Sequence, residues 1–390
     1  MIIRRNIYPA IESVLPAPEA LVVTGMRRVG KTTLLKTILE HLPSPNKIYL
    51  DLENPRNQLY FEQTDYDAVF ATLQLLGLNK NERMYVFLDE IQRVRNLPSV
   101  VKYLLDTYGI KFILSGSSSY YLKNQFSESL VGRKYIFELY PLSFSEFLQT
   151  KGLPPPPISD NPAAPVSHAL YETYKVSMDE YLQFGGFPGV VQKTSQEEKK
   201  AALEDIFTSY YQLEVLQWSD FRKGHKIRDL LMLLLARTGS KLEISKLSSL
   251  LGLARETVSD YLAFLQGTYF IHLVPPFSTN RDVEIRKAPK VYICDPGLAR
   301  QFAQVDEGAL FENAVYANLH PKGHVQYYQR KNGLEMDFIL GNQGYEVKLH
   351  PHKDDVRKTQ ALGNEIGIQN ALTVSRDYVA LPGVIYLFNL

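Results

Sequence analysis

Along the first 120 residues, short apolar runs alternate with stretches of helical spacing. "ALVVTG" (20–25), "KIYLDLE" (47–53), "MYVFLDE" (84–90) and "KFILSGSS" (111–118) are apolar runs with polar ends. Between them, "KTTLLKTILEHL" (31–42) places Leu34, Leu35, Ile38, Leu39 and Leu42 on one side of a helix, and "DAVFATLQLLGL" (67–78) is helical up to a Gly. Continuous apolar strands separated by helices predict a parallel sheet covered on both faces. The pattern changes after residue 150. "GLPPPPISDNPAAPVS" (152–167) predicts a linker or surface excursion, because proline removes ladder donors and favours extended backbone. Helical segments follow around 178–185 and 201–218. From 226 to 268 come three helical segments, and "YFIHLVPPFS" (269–278) then reads as a β-hairpin or wing. That succession is the pattern of a winged helix. The last hundred residues mix strands with helices near 309–319 and 354–365.

Composition narrows the picture only a little. A chain of 390 residues, 45% hydrophobic and 22% charged, is expected to form two or three globular domains. Lys+Arg of 43 against Asp+Glu of 42 gives a net charge of +1, so any nucleic-acid surface must be local. The single cysteine, Cys294, rules out a disulfide framework and a Cys-based zinc site. No apolar run approaches the roughly 20 residues needed to span a bilayer. The basic start lacks the apolar stretch of a signal peptide, so a cytoplasmic protein with no membrane partner is expected.

The stretch "GMRRVGKT" (25–32) fits G-x-x-x-x-G-K-[ST], directly after a strand and at the opening of a helix. The loop Gly25, Met26, Arg27, Arg28, Val29, Gly30, Lys31, Thr32 and Thr33 is expected to wrap phosphates with inward N–H groups, aided by the positive end of the following helix. Lys31 is expected to reach the β- and γ-phosphates of ATP, and Thr32 to hold Mg²⁺. The run "MYVFLDE" is expected to bring Asp89 to Mg²⁺, directly or through water, and Glu90 to polarise the attacking water, which raises the reading from phosphate binder to hydrolase. Ser115, at the end of "KFILSGSS", is a candidate sensor of the γ-phosphate. Arg133 is a candidate arginine finger offered to a neighbouring subunit, which would require a homo-oligomer.

The blocks "TGMRRVGKTTLL", "VFLDEIQRV", "ILSGSSS", "GRKYIFELYPLSFSEF" and "YLQFGGFPGVV", with "APKVYICDPGLAR" and "LFENAVYANL" further on, resemble prokaryotic AAA-type ATPases with a C-terminal domain related to PD-(D/E)xK nucleases. Met26 and Arg28 stand where that family more often has Pro and Gln. The resemblance implies an α/β architecture in four parts. These are an AAA-type P-loop core at 1–150, a linker and helical lid at 151–222, a winged helix at 223–284 and a nuclease-like domain at 285–390. The third helix of the winged helix would be its DNA reader, with Arg255, Thr257, Ser259 and Asp260 outward and Lys241, Lys246 and Arg281 nearby. Glu256 and Asp260 count against phosphate contact there.

Near the C-terminus, "EMDFILGNQGYEVK" (335–348) reads as a hairpin. A turn from Gly341 to Gly344 would set Leu340 opposite Tyr345 and Asp337 opposite Lys348. Asp337, Glu346 and Lys348 then share one face, with Phe338 and Val347 on the other. An Asp, a Glu and a Lys on one face suit metal-dependent phosphodiester chemistry, the carboxylates holding Mg²⁺ or Mn²⁺ and the Lys orienting water. The competing reading is a cross-strand salt bridge. The resemblance adds an upstream helical glutamate, for which Glu312 qualifies, sharing a helix side with Val315, Tyr316 and Leu319. The leading expectation is an ATP-hydrolysing AAA-type protein that acts on DNA through this nuclease-like module. The alternatives are a nucleotide-gated switch whose module is inactive and binds protein, and an ATP-regulated nuclease.

Overall fold

The computed structural model describes residues 3–117, 130–156, 164–218, 224–278, 287–330 and 333–390. Arg281, residues 157–163 of the proline-rich excursion, and the expected boundaries at 222/223 and 284/285 lie outside the described residues. The chain divides into two units. One holds Arg4–Tyr140 together with Gly267–Tyr269; the other holds Met1–Ile3, Pro141–Gln266 and Phe270–Leu390. Apart from Gly267–Tyr269, the segments expected as lid, winged helix and nuclease-like domain therefore fall within one unit.

In the N-terminal unit, β1 (Ala20–Thr24), β2 (Lys47–Asp51), β3 (Tyr85–Asp89), β4 (Lys111–Gly116) and β5 (Lys134–Glu138) form an all-parallel sheet in the order β2-β3-β4-β1-β5. The central strands β1 and β4 are buried along their whole length, whereas the edge strands β2 and β5 are mostly not. This is why their sequences read as continuous apolar runs rather than alternating ones. The helix Lys31–His41 starts directly behind β1, its Leu34, Leu35 and Ile38 buried. The helix Leu97–Tyr108 buries Val100, Val101 and Leu104 and ends at Gly109, whose φ of 65° suits the left-handed C-terminal cap.

In the second unit, helices Gly224–Ala236, Ile244–Leu251 and Arg255–Gly267 are followed by β6 (Ile271–Val274). This strand does not fold back within 269–278 as a hairpin. It pairs antiparallel with β7 (Lys290–Ile293), because Pro275 and Pro276 cannot supply the ladder donors of a returning strand. A mixed sheet follows in the order β12-β11-β10-β9-β8, from β8 (Val325–Gln329), β9 (Glu335–Leu340), β10 (Gln343–Lys348), β11 (Asn370–Ser375) and β12 (Val384–Ile385). The helix Lys353–Ile366 crosses between the parallel neighbours β10 and β11. Phe311, Val315, Tyr316 and Leu319 of the helix Glu307–Leu319 pack with Phe338, Tyr345 and Val347 into one buried core. Each such large apolar side chain is worth about 1.5–3 kcal/mol.

The β9–β10 hairpin turns more tightly than expected. Leu340 lies opposite Gln343, and Phe338 opposite Tyr345. The turn is thus Gly341–Asn342, with Gly341 at φ 59°, and two-residue connections are the favoured way to join antiparallel strands. Continued along the strands, this register sets Asp337 opposite Glu346 and Glu335 opposite Lys348, not Asp337 opposite Lys348. The displacement is by two residues, so strand parity keeps all of these charges on one face and brings Glu335 in with them.

Candidate nucleotide site and the C-terminal carboxylate cluster

The phosphate loop leaves β1 at Thr24. Gly25 has φ 149°, Arg28 φ 68° and Gly30 φ 100°. A Cβ on Gly25 would come within 2.1 Å of the Leu139 carbonyl oxygen, so glycine is required here by the chain just after β5 as much as by any phosphate. Met26 and Val29 bury their side chains, which leaves their backbone groups to line the loop, while Arg28 and Thr33 are exposed. Arg27 and Thr32 are partly buried. Lys31 is buried, and its ammonium donates to the carbonyls of Gly25 and Met26, each at 2.9 Å. Arg5 braces the loop by donating to Val29 O at 2.9 Å and Tyr140 O at 2.7 Å.

β4 lies between β1 and β3. The acids of β3 are therefore one strand removed from the loop, and Ser115 of β4 fills the gap. Its hydroxyl donates to Asp89 Oδ1, so it meets the carboxylate rather than standing alone before a phosphate. The Glu90 amide donates to the same oxygen at 3.1 Å, and the Tyr49 hydroxyl donates to Asp89 Oδ2 at 2.8 Å. Burial first, then this bond to Asp89, push the Tyr49 phenol well above its ordinary value. A buried carboxylate met by neutral donors offers the oxygen chemistry that a hard divalent cation prefers. Glu90 sits in the left-handed region at φ 56°. Its Oε2 accepts from Gln92 Nε2, which also donates to Ser117 Oγ at 3.1 Å. Tyr49 and Gln92 escaped the sequence reading. Parallel pairing of Asp51 with Asp89 brings β2 alongside, a relation that spacing alone does not express. Arg133 lies at the start of β5, where its carbonyl accepts from Ala20 N, and its guanidinium pairs with Asp106 at 2.8 Å. It thus sits at the end of the sheet opposite its own phosphate loop.

The C-terminal cluster is organised by a residue that the sequence reading did not single out. Lys290, at the start of β7, donates to Glu312 Oε1 at 2.9 Å and to Asp337 Oδ1 at 3.1 Å, and its ammonium also forms an ion pair with Glu335. Asp337 Oδ2 accepts from Val347 N at 2.9 Å. Lys348 pairs with Glu346 at 2.7 Å, and the Tyr292 hydroxyl donates to Glu312. Burial works against the Lys290 ammonium, but the charges of Asp337, Glu312 and Glu335 outweigh it and raise its pKa. Burial and the Asp337 charge push Glu312 up to about 7 and Glu346 up to about 8. Among the described residues, no group of three His, Cys, Asp or Glu is arranged to hold a metal ion. Three of the proposed nuclease residues, Asp337, Glu346 and Lys348, share a face of the hairpin, and Glu312 comes from the helix Glu307–Leu319, but the position among Glu312, Glu335 and Asp337 is taken by the Lys290 ammonium. The residues do not fit a resident metal there.

These carboxyls have a consequence for pH. Both folded values lie above the ordinary glutamate value of 4.5, so between about pH 4.5 and 8 the folded state keeps protons that the unfolded chain releases. Their stabilising contribution is complete below 4.5 and is lost as pH rises through 7 to 8. The melting temperature of the second unit should fall over that window, and Glu346→Gln should flatten the fall. An identical slope in wild type and variant, measured by thermal unfolding from pH 5 to 9, would count against this account.

Residues 17–148 match the family model of an AAA domain, and residues 175–308 match that of a domain of unknown function. An uncharacterized protein of Methanocaldococcus jannaschii is 27% identical over 337 residues, covering 84% of this chain and 73% of that protein. An uncharacterized protein of Haemophilus influenzae is 26% identical over 356 residues, covering 86% and 84%. A solved Walker-type ATPase of Pyrococcus abyssi is 16% identical with a TM-score of 0.46, covering 77% of this chain and 96% of that one. The N-terminal unit thus matches an AAA domain over residues 17–148 and has the parallel five-stranded sheet of a P-loop NTPase fold. Among the described residues, no helix is long and apolar enough to cross a membrane.

Proposed function

We propose that the protein hydrolyses ATP and uses the nucleotide state to switch its second unit, whose nuclease-related module binds a partner without cutting. In this reading the loop amides and Lys31 hold the phosphates, Glu90 takes the proton of the attacking water, and Gln92 orients Glu90. Thr32 and Asp89 would hold Mg²⁺, which supplies charge neutralisation at the phosphates. The observation that carries the coupling is the place of Gly267–Tyr269. These three residues pack with the ATPase unit, while the helix Arg255–Gly267 before them and β6 after them otherwise belong to the second unit. Tyr269 adopts φ 65°, and its hydroxyl donates to Glu138 Oε1 at 3.0 Å at the end of β5. It also lies 3.5 Å from the hydroxyl of Thr24, the residue before the phosphate loop. A non-glycine residue held at positive φ is backbone strain of the kind found at switches.

The helix triplet followed by the β6–β7 pair supports a winged-helix assignment. The exposed residues Arg255, Glu256, Ser259 and Asp260 on its third helix carry two acids against one base, which favours a protein partner over the phosphate backbone of DNA. The Lys290-filled cluster likewise favours binding over cleavage.

The test is Tyr269→Phe, which keeps the ring and removes the bond to Glu138. Basal ATP turnover should stay within a few fold of wild type. The ATP-dependent change in hydrogen exchange of the helix Arg255–Gly267 should be lost or cut by about 5- to 150-fold in coupling. An unchanged ATP response in the variant would sink the coupling. Strong stimulation of ATP turnover by duplex DNA would move the partner from protein to DNA.

A further inference from the structure

We infer that the carboxylate cluster of the C-terminal sheet is a cation site whose cation is built into the chain: the ammonium of Lys290 occupies it, and a divalent ion enters only when that ammonium is removed. The inference does not depend on ATP hydrolysis or on the Tyr269 coupling.

Three carboxylates converge from two elements, Glu312 from the helix Glu307–Leu319 and Glu335 and Asp337 from β9. Carboxylates gathered in a poorly solvated place repel one another and demand a counter-charge. The Lys290 side chain is only 7% exposed and is aimed at all three. An ammonium is a compact point charge with three donors and no acceptor, so its three protons can be shared among three carboxylates. Its nitrogen stands 2.9 and 3.1 Å from Glu312 and Asp337. A divalent cation would draw oxygens from the same carboxylates at about 2.0–2.6 Å, so ion and ammonium are mutually exclusive. The two lysines, Lys290 within the cluster and Lys348 on Glu346, together bring two positive charges, as one divalent ion would.

The origin of Lys290 matters as well. It belongs to β7, which pairs with β6 and carries an isolated bridge to Lys241, rather than to the sheet holding Asp337 and Glu346. Lys290 therefore comes from a different sheet than Glu335 and Asp337, and Glu312 comes from a helix.

The experiment uses the full chain, nucleotide-free and stripped with chelator, in wild type, Asp337→Asn, Lys290→Met and Lys290→Met/Asp337→Asn. Mn²⁺ binding is read by calorimetry and by the shift in thermal unfolding. Wild type should give no Mn²⁺-dependent melting shift that Asp337→Asn abolishes. Lys290→Met should bind one more Mn²⁺ per chain than wild type, at least about tenfold more tightly than the double variant, and should melt higher as Mn²⁺ is added. If Lys290→Met folds only when refolded with Mn²⁺, that rescue supports the inference. Failure to fold with or without Mn²⁺ overturns it, as does a folded Lys290→Met with the stoichiometry of wild type. Mn²⁺ binding by wild type that is lost in Asp337→Asn also overturns it, because ammonium and metal would then coexist.

Discussion

Glu90→Gln should retain ATP binding and lose roughly 10²–10⁴-fold in turnover, the usual contribution of a positioned general base. The geometry around Glu90 is specific enough to make this a strong expectation. The residue directly follows the last position of β3 and is turned by its φ of 56° away from the strand direction. Its amide is anchored on Asp89 Oδ1 and its carboxylate on Gln92. Glutamine preserves size and can still hydrogen bond, but it cannot accept the water's proton. Lys31→Ala is the contrasting control. Its ammonium spans the loop between the carbonyls of Gly25 and Met26, so its loss should weaken nucleotide binding itself. Filter binding of labelled ATP alongside phosphate release separates the two. A Glu90→Gln protein that turns over within a few fold of wild type would remove Glu90 from the chemistry.

Gly185→Ala should destabilise the second unit by more than about 4 kcal/mol, the range reserved for changes the fold cannot absorb. Gly185 follows the helix His168–Phe184 at φ 74°, and a Cβ there would stand 1.8 Å from Asp295 Oδ1. Asp295 is fully buried and cannot retreat. Its oxygens accept from Gly186 N at 2.7 Å, Gly297 N at 2.9 Å and Leu298 N at 3.3 Å. On the other side, a Cβ on Gly297 would meet the Phe184 backbone at 2.3 Å, and one on Gly186 the Leu142 carbonyl at 2.2 Å. The Cβ added at Gly185 thus meets a carboxylate that three backbone amides hold in place, with backbone packed on backbone at Gly186 and Gly297 beside it. Gly189→Ala, where nothing lies within 4 Å of the added atom, is the internal control and should fall within about 0.5 kcal/mol of wild type. Equal melting temperatures for the two variants would show that the glycine–aspartate contact is not structural.

The resemblance blocks "YLQFGGFPGVV" and "APKVYICDPGLAR" contain both halves of this contact, yet nothing in either block says that it meets the other. The same holds for Lys290. It lies 22 residues from Glu312 and 47 from Asp337, and in sequence it is one more charge at a strand start. Asp89 and Glu90 were legible as acids at a strand end, but Tyr49 bonds to Asp89 across 40 positions. Arg133 pairs with Asp106 at the end of the sheet away from its own phosphate loop, a placement that its residue type does not encode.

What the sequence determined by itself is what near neighbours encode. The phosphate loop follows from the spacing of Gly25, Gly30, Lys31 and Thr32. The parallel sheet follows from apolar runs broken by helices. The shared face of Asp337, Glu346 and Lys348 follows from the two-residue period of a strand, which survived a register displaced by two. Tertiary structure alone decided the strand order that sets β4 between β1 and β3, the ammonium inside the carboxylate cluster, and the placing of Gly267–Tyr269 with the ATPase unit. Local patterns repeat every two or every three to four residues and can be read along the chain. Charge pairing and close backbone packing depend on which distant segments meet, and that is settled by burying the whole of each core at once.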